Sequence, residues 1–229
     1  VFIPDGKVPL EEIEKYCENY ERKIDEFGGV DVQILGIGRT GHIGFNEPGS
    51  SPKSLTRLVT LDKKTRIDAS GDFRNEDNVP RTAITMGVGT ISKAKQIFLM
   101  AWGETKSDIV AKAIEGDVSW QVPATFLQNH SNTSFIVDAA ASSSLERIKT
   151  PWLNETCEWN WSITLRAVCW LSETLQKPVL KLTDEDYNKK GMGDLIAKSG
   201  NAYELNLQVF RHLRDTITGW PGGKPGTQD

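Results

Sequence analysis

One glycine-rich loop carries a histidine and a carboxylate five residues apart, His42 and Glu47. A carboxylate beside an imidazole can hold it in one tautomer and raise its basicity, so this pair is a minimal set for general acid–base catalysis. Gly38 and Gly41 let the backbone approach a ligand closely and expose amide donors. The chain has only 3 histidines, which favours a function for this one. A structural histidine hydrogen-bonded within a turn is the alternative.

The same loop contains a GxGxxG pattern, which in dinucleotide-binding proteins holds a pyrophosphate between a strand and a helix. That interpretation needs a helix directly after the pattern, and Pro48 stops a helix there. We therefore expect no nicotinamide cofactor. The cysteines Cys17, Cys157 and Cys169 are scattered without a CxxC pair, so neither a disulfide framework nor a metal site is expected.

Alternating helix and strand patterns predict how the loop is positioned. Apolar residues recur at helical spacing over residues 8–26, and the apolar run 30–38 predicts a buried strand that leads into the loop. Further strands are predicted at residues 82–89, 96–103 and 134–141, with a helix at 105–115. Near-continuous apolar strands between helices are typical of an α/β protein whose parallel sheet is covered on both faces.

The last third of the chain has a different pattern. Helical spacing occurs in residues 163–175 and 203–213, on either side of a polar, turn-rich stretch at 184–194. Residues 219–229 are rich in glycine and proline, as linkers are. Four of the 7 tryptophans lie within residues 152–170, and we interpret this cluster as packing rather than as a ligand cage. We therefore predict an α/β domain over residues 1–147 and a helical extension over 148–229.

Length and composition limit the classes of protein. The 229 residues carry 27 Lys and Arg against 31 Asp and Glu, a net charge of −4 that argues against binding of nucleic acid. No apolar run reaches the roughly 18 residues of a transmembrane helix, so no membrane partner is expected. The first residues lack a signal-peptide pattern. From these features we expect a cytoplasmic protein.

The loop and several later segments resemble the glucosamine-6-phosphate deaminase (glucosamine-6-phosphate isomerase) family. The matching segments are GIGRTGHIGFNEPGSS, Thr56-Arg57, VPRTAITMGVGT, the G-x-x-K pattern from Gly103 to Lys106, AIEGDV and LQNH. The resemblance covers about residues 1–147. It implies a Rossmann-like three-layer sandwich with a mainly parallel sheet, of which this chain would hold the C-terminal part, followed by the helical extension.

The resemblance also implies an activity. Enzymes of this family open the pyranose ring of glucosamine 6-phosphate, move a proton from C2 to C1 through an enediol-type intermediate, and release ammonia to leave fructose 6-phosphate. By resemblance, His42 assists ring opening and Glu47 supports it, with no metal or other cofactor. The residues that would bind the substrate are Gly38, Thr40, Gly41 and, at its phosphate, Lys106. A possible allosteric sugar-phosphate site comprises Ser50, Ser51 and Arg57. A homo-oligomer is expected as well.

Three departures from the family pattern keep other functions open. Thr40 stands where the family has an acid, and Gly71 stands where it has a phosphate-binding arginine, which Arg66 or Arg74 would have to replace. The N-terminal half of the family domain, with the carboxylate that takes the C2 proton, would precede Val1. We therefore expect a parent protein with additional domains, and an inactive fragment. The alternatives are a regulatory domain that binds an amino-sugar phosphate and a hydrolase of the 6-phosphogluconolactonase type, against which FNEPGSS argues.

Overall fold

The chain folds into two compact units, Val1–Leu145 and Glu146–Asp229. The structure is a computed structural model that describes residues 1–154 and 156–219. Of the linker predicted over residues 219–229, all but Gly219 lies outside the described residues. None of the described helices is both long and apolar enough to cross a membrane.

A three-stranded parallel sheet lies at the centre of the first unit. Its order is β1 (Val32–Gly36), β4 (Gln96–Ala101) and β5 (Thr133–Val137). The predicted α/β class with a mainly parallel sheet is therefore confirmed. The segment 82–89 does not join this sheet, because β3 (Thr82–Thr85) pairs antiparallel with β2 (Arg57–Thr60), a strand that the apolar pattern did not predict.

Four α-helices flank these strands: α1 (Ile13–Glu26), α2 (Lys63–Ala69), α3 (Val88–Ile91) and α4 (Ser107–Glu115). α1 ends before Gly28 and Gly29, both at positive φ. The carboxylate of Asp62 caps α2 by accepting from the backbone N of Lys64 at 2.7 Å. Short 3₁₀ turns complete the unit at Leu10–Glu12, Glu76–Asn78, Glu104–Lys106 and Pro123–Asn129.

Among the described residues, only one face of the parallel sheet is covered by core side chains. Leu35, Ile97 and Leu99 point into the core, where residues of α3, α4 and the last 3₁₀ turn pack against them. On the opposite face, Val32 is 50% exposed and Ile34 is 62% exposed. The expectation of a sheet covered on both faces is thus wrong for the described residues, because their helices contribute core side chains to one face of the sheet.

The second unit is helical. Its helices are α5 (Glu146–Lys149), α6 (Trp161–Leu175), α7 (Asp184–Lys189), α8 (Gly193–Ser199) and α9 (Ala202–Thr218), with 3₁₀ turns at Pro151–Leu153 and Val179–Lys181. The stretch 184–194 is mostly helix rather than turn. α7 starts at a capping box in which Thr183 and Asp186 exchange hydrogen bonds, a threonine-to-acid signal visible in the sequence.

Tryptophans and one buried polar pair hold the core of the second unit together. The ring of Trp152 stacks on Trp159 at 6.1 Å and meets the edge of Trp170 at 5.8 Å, which agrees with the packing interpretation of the tryptophan cluster. The buried Tyr187 hydroxyl donates to Asn206 at 2.6 Å, so its polar atom is paired. Burial raises the pKa of Tyr187 well above its usual value.

Candidate active site

The loop after β1 brings His42 back over the strand end through a tight turn. The backbone N of Gly38 donates to the carbonyl of His42 at 3.1 Å, and the N of Gly41 donates to the carbonyl of Gly38 at 2.9 Å. Gly41 has φ +79°, which favours glycine, and its carbonyl accepts from Ala124 at 2.9 Å. A Cβ on Gly38 would lie 2.1 Å from the imidazole ring. The turn therefore requires glycine at both positions.

His42 and Glu47 form a direct pair. The Nδ1 atom of His42 lies 3.0 Å from Oε2 of Glu47, and their side chains are 15% and 13% exposed. An ionised carboxylate only accepts hydrogen bonds, so Nδ1 carries the hydrogen and donates it to Glu47. This tautomer leaves Nε2 with a lone pair, which is the state that a general base requires.

Two threonine hydroxyls hold the carboxylate from its other sides. Thr40 donates to Oε2 of Glu47 at 3.0 Å and lies 3.0 Å from Nδ1 of His42, while Thr65 on α2 donates to Oε1 at 2.5 Å. The sequence analysis missed Thr65, because it lies 23 positions from His42 and no local spacing connects them. Thr40, which stands where the family has an acidic residue, thus acts as a hydrogen-bond donor.

These contacts set the ionisation of Glu47. Burial raises the pKa of the carboxyl group, but the hydrogen bonds from His42, Thr65 and Thr40 and the charge of His42 outweigh burial and lower the pKa to about 2. Glu47 is therefore ionised at neutral pH. As a permanent anion it holds the imidazole tautomer rather than exchanging protons itself.

A cavity of about 380 Å³ opens beside this pair. Its lining includes Gly38, His42, Thr65, Asp68 and Lys106. Lys106 reaches it from the turn before α4, and its Nζ donates to the carbonyl of Ile37 at 2.9 Å, which fixes the ammonium at the end of β1. An imidazole and a cation facing one cavity can act on a sugar and hold an anionic group.

The predicted substrate-binding residues fall into two groups. Gly38 and Lys106 line the cavity, whereas the described lining includes neither Thr40, which lies against Glu47, nor Gly41, whose missing Cβ makes room for Val122. The substitutes considered for the family arginine also lie elsewhere, since Arg66 pairs with Glu76 at 3.6 Å and neither Arg66 nor Arg74 belongs to the described lining.

The residues of the possible allosteric site line a separate cavity of about 520 Å³. Arg57 donates to Oδ1 of Asn46 at 2.8 Å and to the hydroxyl of Ser50 at 3.1 Å, and burial lowers its pKa. The hydroxyl of Ser51 accepts from the backbone N of Lys53 at 3.2 Å. Glu47 lines this cavity too, so it stands between the two cavities.

Asn46 has a structural role that the sequence analysis did not assign. It is fully buried, and its amide donates to the carbonyls of Ile43 at 2.9 Å and Met86 at 2.8 Å. The loop is thereby fastened to the end of β3, which holds Glu47 in register with His42. Within the described residues, no three His, Cys, Asp or Glu side chains converge as a metal site.

Comparisons with known proteins identify relatives of the first unit and of the whole chain. Residues 3–136 match the family described as glucosamine-6-phosphate isomerases/6-phosphogluconolactonase. The whole chain is 47% identical to a glucosamine-6-phosphate deaminase-like protein of Bacteroides thetaiotaomicron, of which it spans 34%. It is 44% identical, over 62% of its length, to glucosamine-6-phosphate deaminase 1 of Bacillus subtilis, of which it spans 58%. The chain thus covers between one third and three fifths of these relatives.

A solved structure of a relative has a similar fold. A monomeric glucosamine-6-phosphate deaminase superposes with a TM-score of 0.60 at 44% sequence identity, over 62% of this chain and 58% of that one.

Proposed function

We propose that the intact protein converts glucosamine 6-phosphate and water to fructose 6-phosphate and ammonia, since the chain belongs to the family of glucosamine-6-phosphate isomerases and 6-phosphogluconolactonases. The observation that carries this proposal is the 3.0 Å pair of His42 and Glu47 beside a cavity that Lys106 also lines. Ring opening of a phosphorylated amino sugar requires an acid–base group and a cation for the phosphate, and this pair and Lys106 can supply them.

In this proposal His42 transfers the proton during ring opening. Its Nε2 takes the proton from the anomeric hydroxyl and returns it to the ring oxygen, which breaks the C1–O5 bond and leaves the open-chain aldehyde. Glu47 stays ionised and stabilises the imidazolium that forms in between. Lys106 binds the phosphate as a point charge, and Gly38, which lines the cavity, lets the sugar approach the backbone. The base that takes the C2 proton is not assigned to a residue of this chain.

A regulatory role is a second candidate, favoured by the cavity at Ser50, Ser51 and Arg57. A guanidinium and two hydroxyls suit a sugar phosphate. Because Glu47 lines this cavity and pairs with His42, a ligand there would act on the catalytic pair through one side chain. Substitution of Arg57 by Ala would then change the response to added sugar phosphate.

The experiment is a product assay on the intact protein with glucosamine 6-phosphate. We expect ammonia and fructose 6-phosphate in equal amounts. Binding of glucosamine 6-phosphate without turnover would contradict the deaminase proposal and favour a regulatory domain. Hydrolysis of 6-phosphogluconolactone without ammonia release would instead favour a lactonase.

A further inference from the structure

A paired arginine and aspartate stand at the edge of the His42 cavity. Arg39 lies in the loop after β1. Its Nε and Nη2 atoms both donate to the carboxylate of Asp68 on α2, with Nε 2.9 Å from Oδ2. Asp68 itself lines the cavity together with Lys106 and His42. The guanidinium that holds it is therefore placed at the cavity's edge, next to the lining.

This pairing joins the loop after β1 to α2 at the surface. The two side chains are 50% and 40% exposed, and ion pairs this exposed contribute little to stability because water screens them. The bidentate geometry does, however, fix the orientation of the guanidinium plane. Asp68 engages only one edge of that plane.

The remaining edge of the guanidinium is suited to an anion. A guanidinium has five N–H donors, and Asp68 accepts from Nε and Nη2. Roughly three donors are left in a rigid fork, the geometry that matches two oxygens of a phosphate. Lys106 provides only a point charge, and its ammonium already donates to Ile37.

The charges of Asp68 and Lys106 also bear on the binding of an anion in this cavity. Without Arg39, the carboxylate of Asp68 would repel an anion from the cavity that Lys106 lines. With Arg39 paired to it, that carboxylate is neutralised, and the guanidinium keeps N–H donors that Asp68 does not use. A phosphate at this cavity would therefore meet the cation of Lys106 and a neutralised carboxylate, with Arg39 at the edge.

We propose that Arg39 is a phosphate-binding residue of this site, positioned by Asp68, and that it supplies the bidentate contact to the 6-phosphate of the sugar. This inference rests on the proposed function for the identity of the sugar, but the phosphate contact does not require turnover. Arg39 follows β1 and Lys106 follows the neighbouring parallel strand β4, so both come from the same edge of the sheet and would hold the phosphate by a fork and a point charge.

The test is calorimetric titration of the intact protein, in a His42→Gln background so that ligand is not consumed, with glucosamine 6-phosphate and with glucosamine. Arg39→Ala should weaken binding of glucosamine 6-phosphate by about 10- to 100-fold, as loss of a charge-assisted contact does, and leave glucosamine unaffected. Arg39→Lys should recover only part of the affinity, because lysine lacks the fork. Arg39→Gln replaces the alanine variant if that variant does not fold.

The matched control is Arg22→Ala, an arginine on α1 that donates to Asn19 and lies outside the described lining of the cavity. If Arg39→Ala binds glucosamine 6-phosphate as tightly as Arg22→Ala does, the inference is wrong while the deaminase proposal stands. If binding depends on Arg39 but the intact wild-type protein releases no ammonia, the phosphate contact stands and the deaminase proposal fails. Absence of any binding to glucosamine 6-phosphate would overturn both.

Discussion

Glu47 determines the chemistry of the site more than any other single residue, because it fixes which imidazole nitrogen is free. Its carboxylate accepts from three side chains, those of His42, Thr40 and Thr65. Loss of any donor therefore affects both the ionisation of Glu47 and the orientation of His42.

Thr65→Val replaces a hydroxyl by a methyl group of similar size and leaves Oε1 of Glu47 without its shortest contact. We expect this change to lower the free energy of unfolding by about 1–3 kcal/mol, the cost of a buried acceptor without its partner. The rate of ammonia release should fall as well. Thr65→Ser keeps the hydroxyl and is the control. Equal urea unfolding midpoints for the two variants would contradict the role of this hydroxyl.

Glu47 also makes stability depend on pH in a defined window. Its pKa is lowered from 4.5 to about 2 in the folded protein, so as pH falls the unfolded state takes up the proton first. The stabilisation, roughly 3 kcal/mol, is complete well above pH 4.5 and is lost as pH falls towards 2, with about 2 kcal/mol lost by pH 3. The difference in unfolding free energy between wild type and Glu47→Gln should shrink accordingly between pH 6 and pH 3. A constant difference would refute this ionisation.

Among the elements, the loop after β1 is the one that positions the pair of His42 and Glu47. Gly38→Ala would place a methyl carbon 2.1 Å from the His42 ring and push the imidazole away from Glu47. We expect the rate of ammonia release to fall by roughly 100-fold, as misplacement of a catalytic group by about 1 Å can cause. Gly71→Ala, where nothing lies within 4 Å of the added carbon, is the control. Comparable rates for the two variants would show that the ring tolerates displacement.

The uncovered face of the sheet gives a second prediction at this scale. Ile34 is 62% exposed and its neighbour Leu35 is 7% exposed, although both lie on β1. In the 229-residue chain, Ile34→Ala should lower the unfolding free energy by less than about 1 kcal/mol, and Leu35→Ala by about 2–5 kcal/mol, because only Leu35 leaves a cavity. Urea denaturation of the two variants measures the difference, and similar losses would mean that both faces are buried.

Sequence reasoning predicted the elements whose signals are local. β1, β4, β5 and the amphipathic helices follow from runs and periodicity, and the histidine–carboxylate pair follows from one short loop. The contacts that it missed depend on residues distant in the chain: Thr65 reaches Glu47 from α2, and β2 pairs with β3. The exposed face of β1 was also missed, since an apolar run does not reveal whether both sides of a strand are packed.

For the whole molecule, each of the two units has its own core of buried side chains. The family match covers residues 3–136, all within the first unit, so the function proposed here is assigned to that unit. The domain boundary at residue 147 and the homo-oligomer stay predictions, and a solved relative is described as monomeric. Light scattering on the intact protein decides the oligomeric state.

We propose that His42 is the acid–base residue for turnover of glucosamine 6-phosphate. The most direct test compares ammonia release by intact protein carrying His42→Gln or His130→Gln, since His130 donates from Nε2 to the carbonyl of Ala94 at 2.7 Å and serves the fold. We predict that His42→Gln lowers kcat by about 10²- to 10⁴-fold, the usual share of general acid–base catalysis, while His130→Gln stays close to wild type. Undiminished ammonia release by His42→Gln would show that His42 is not the acid–base residue.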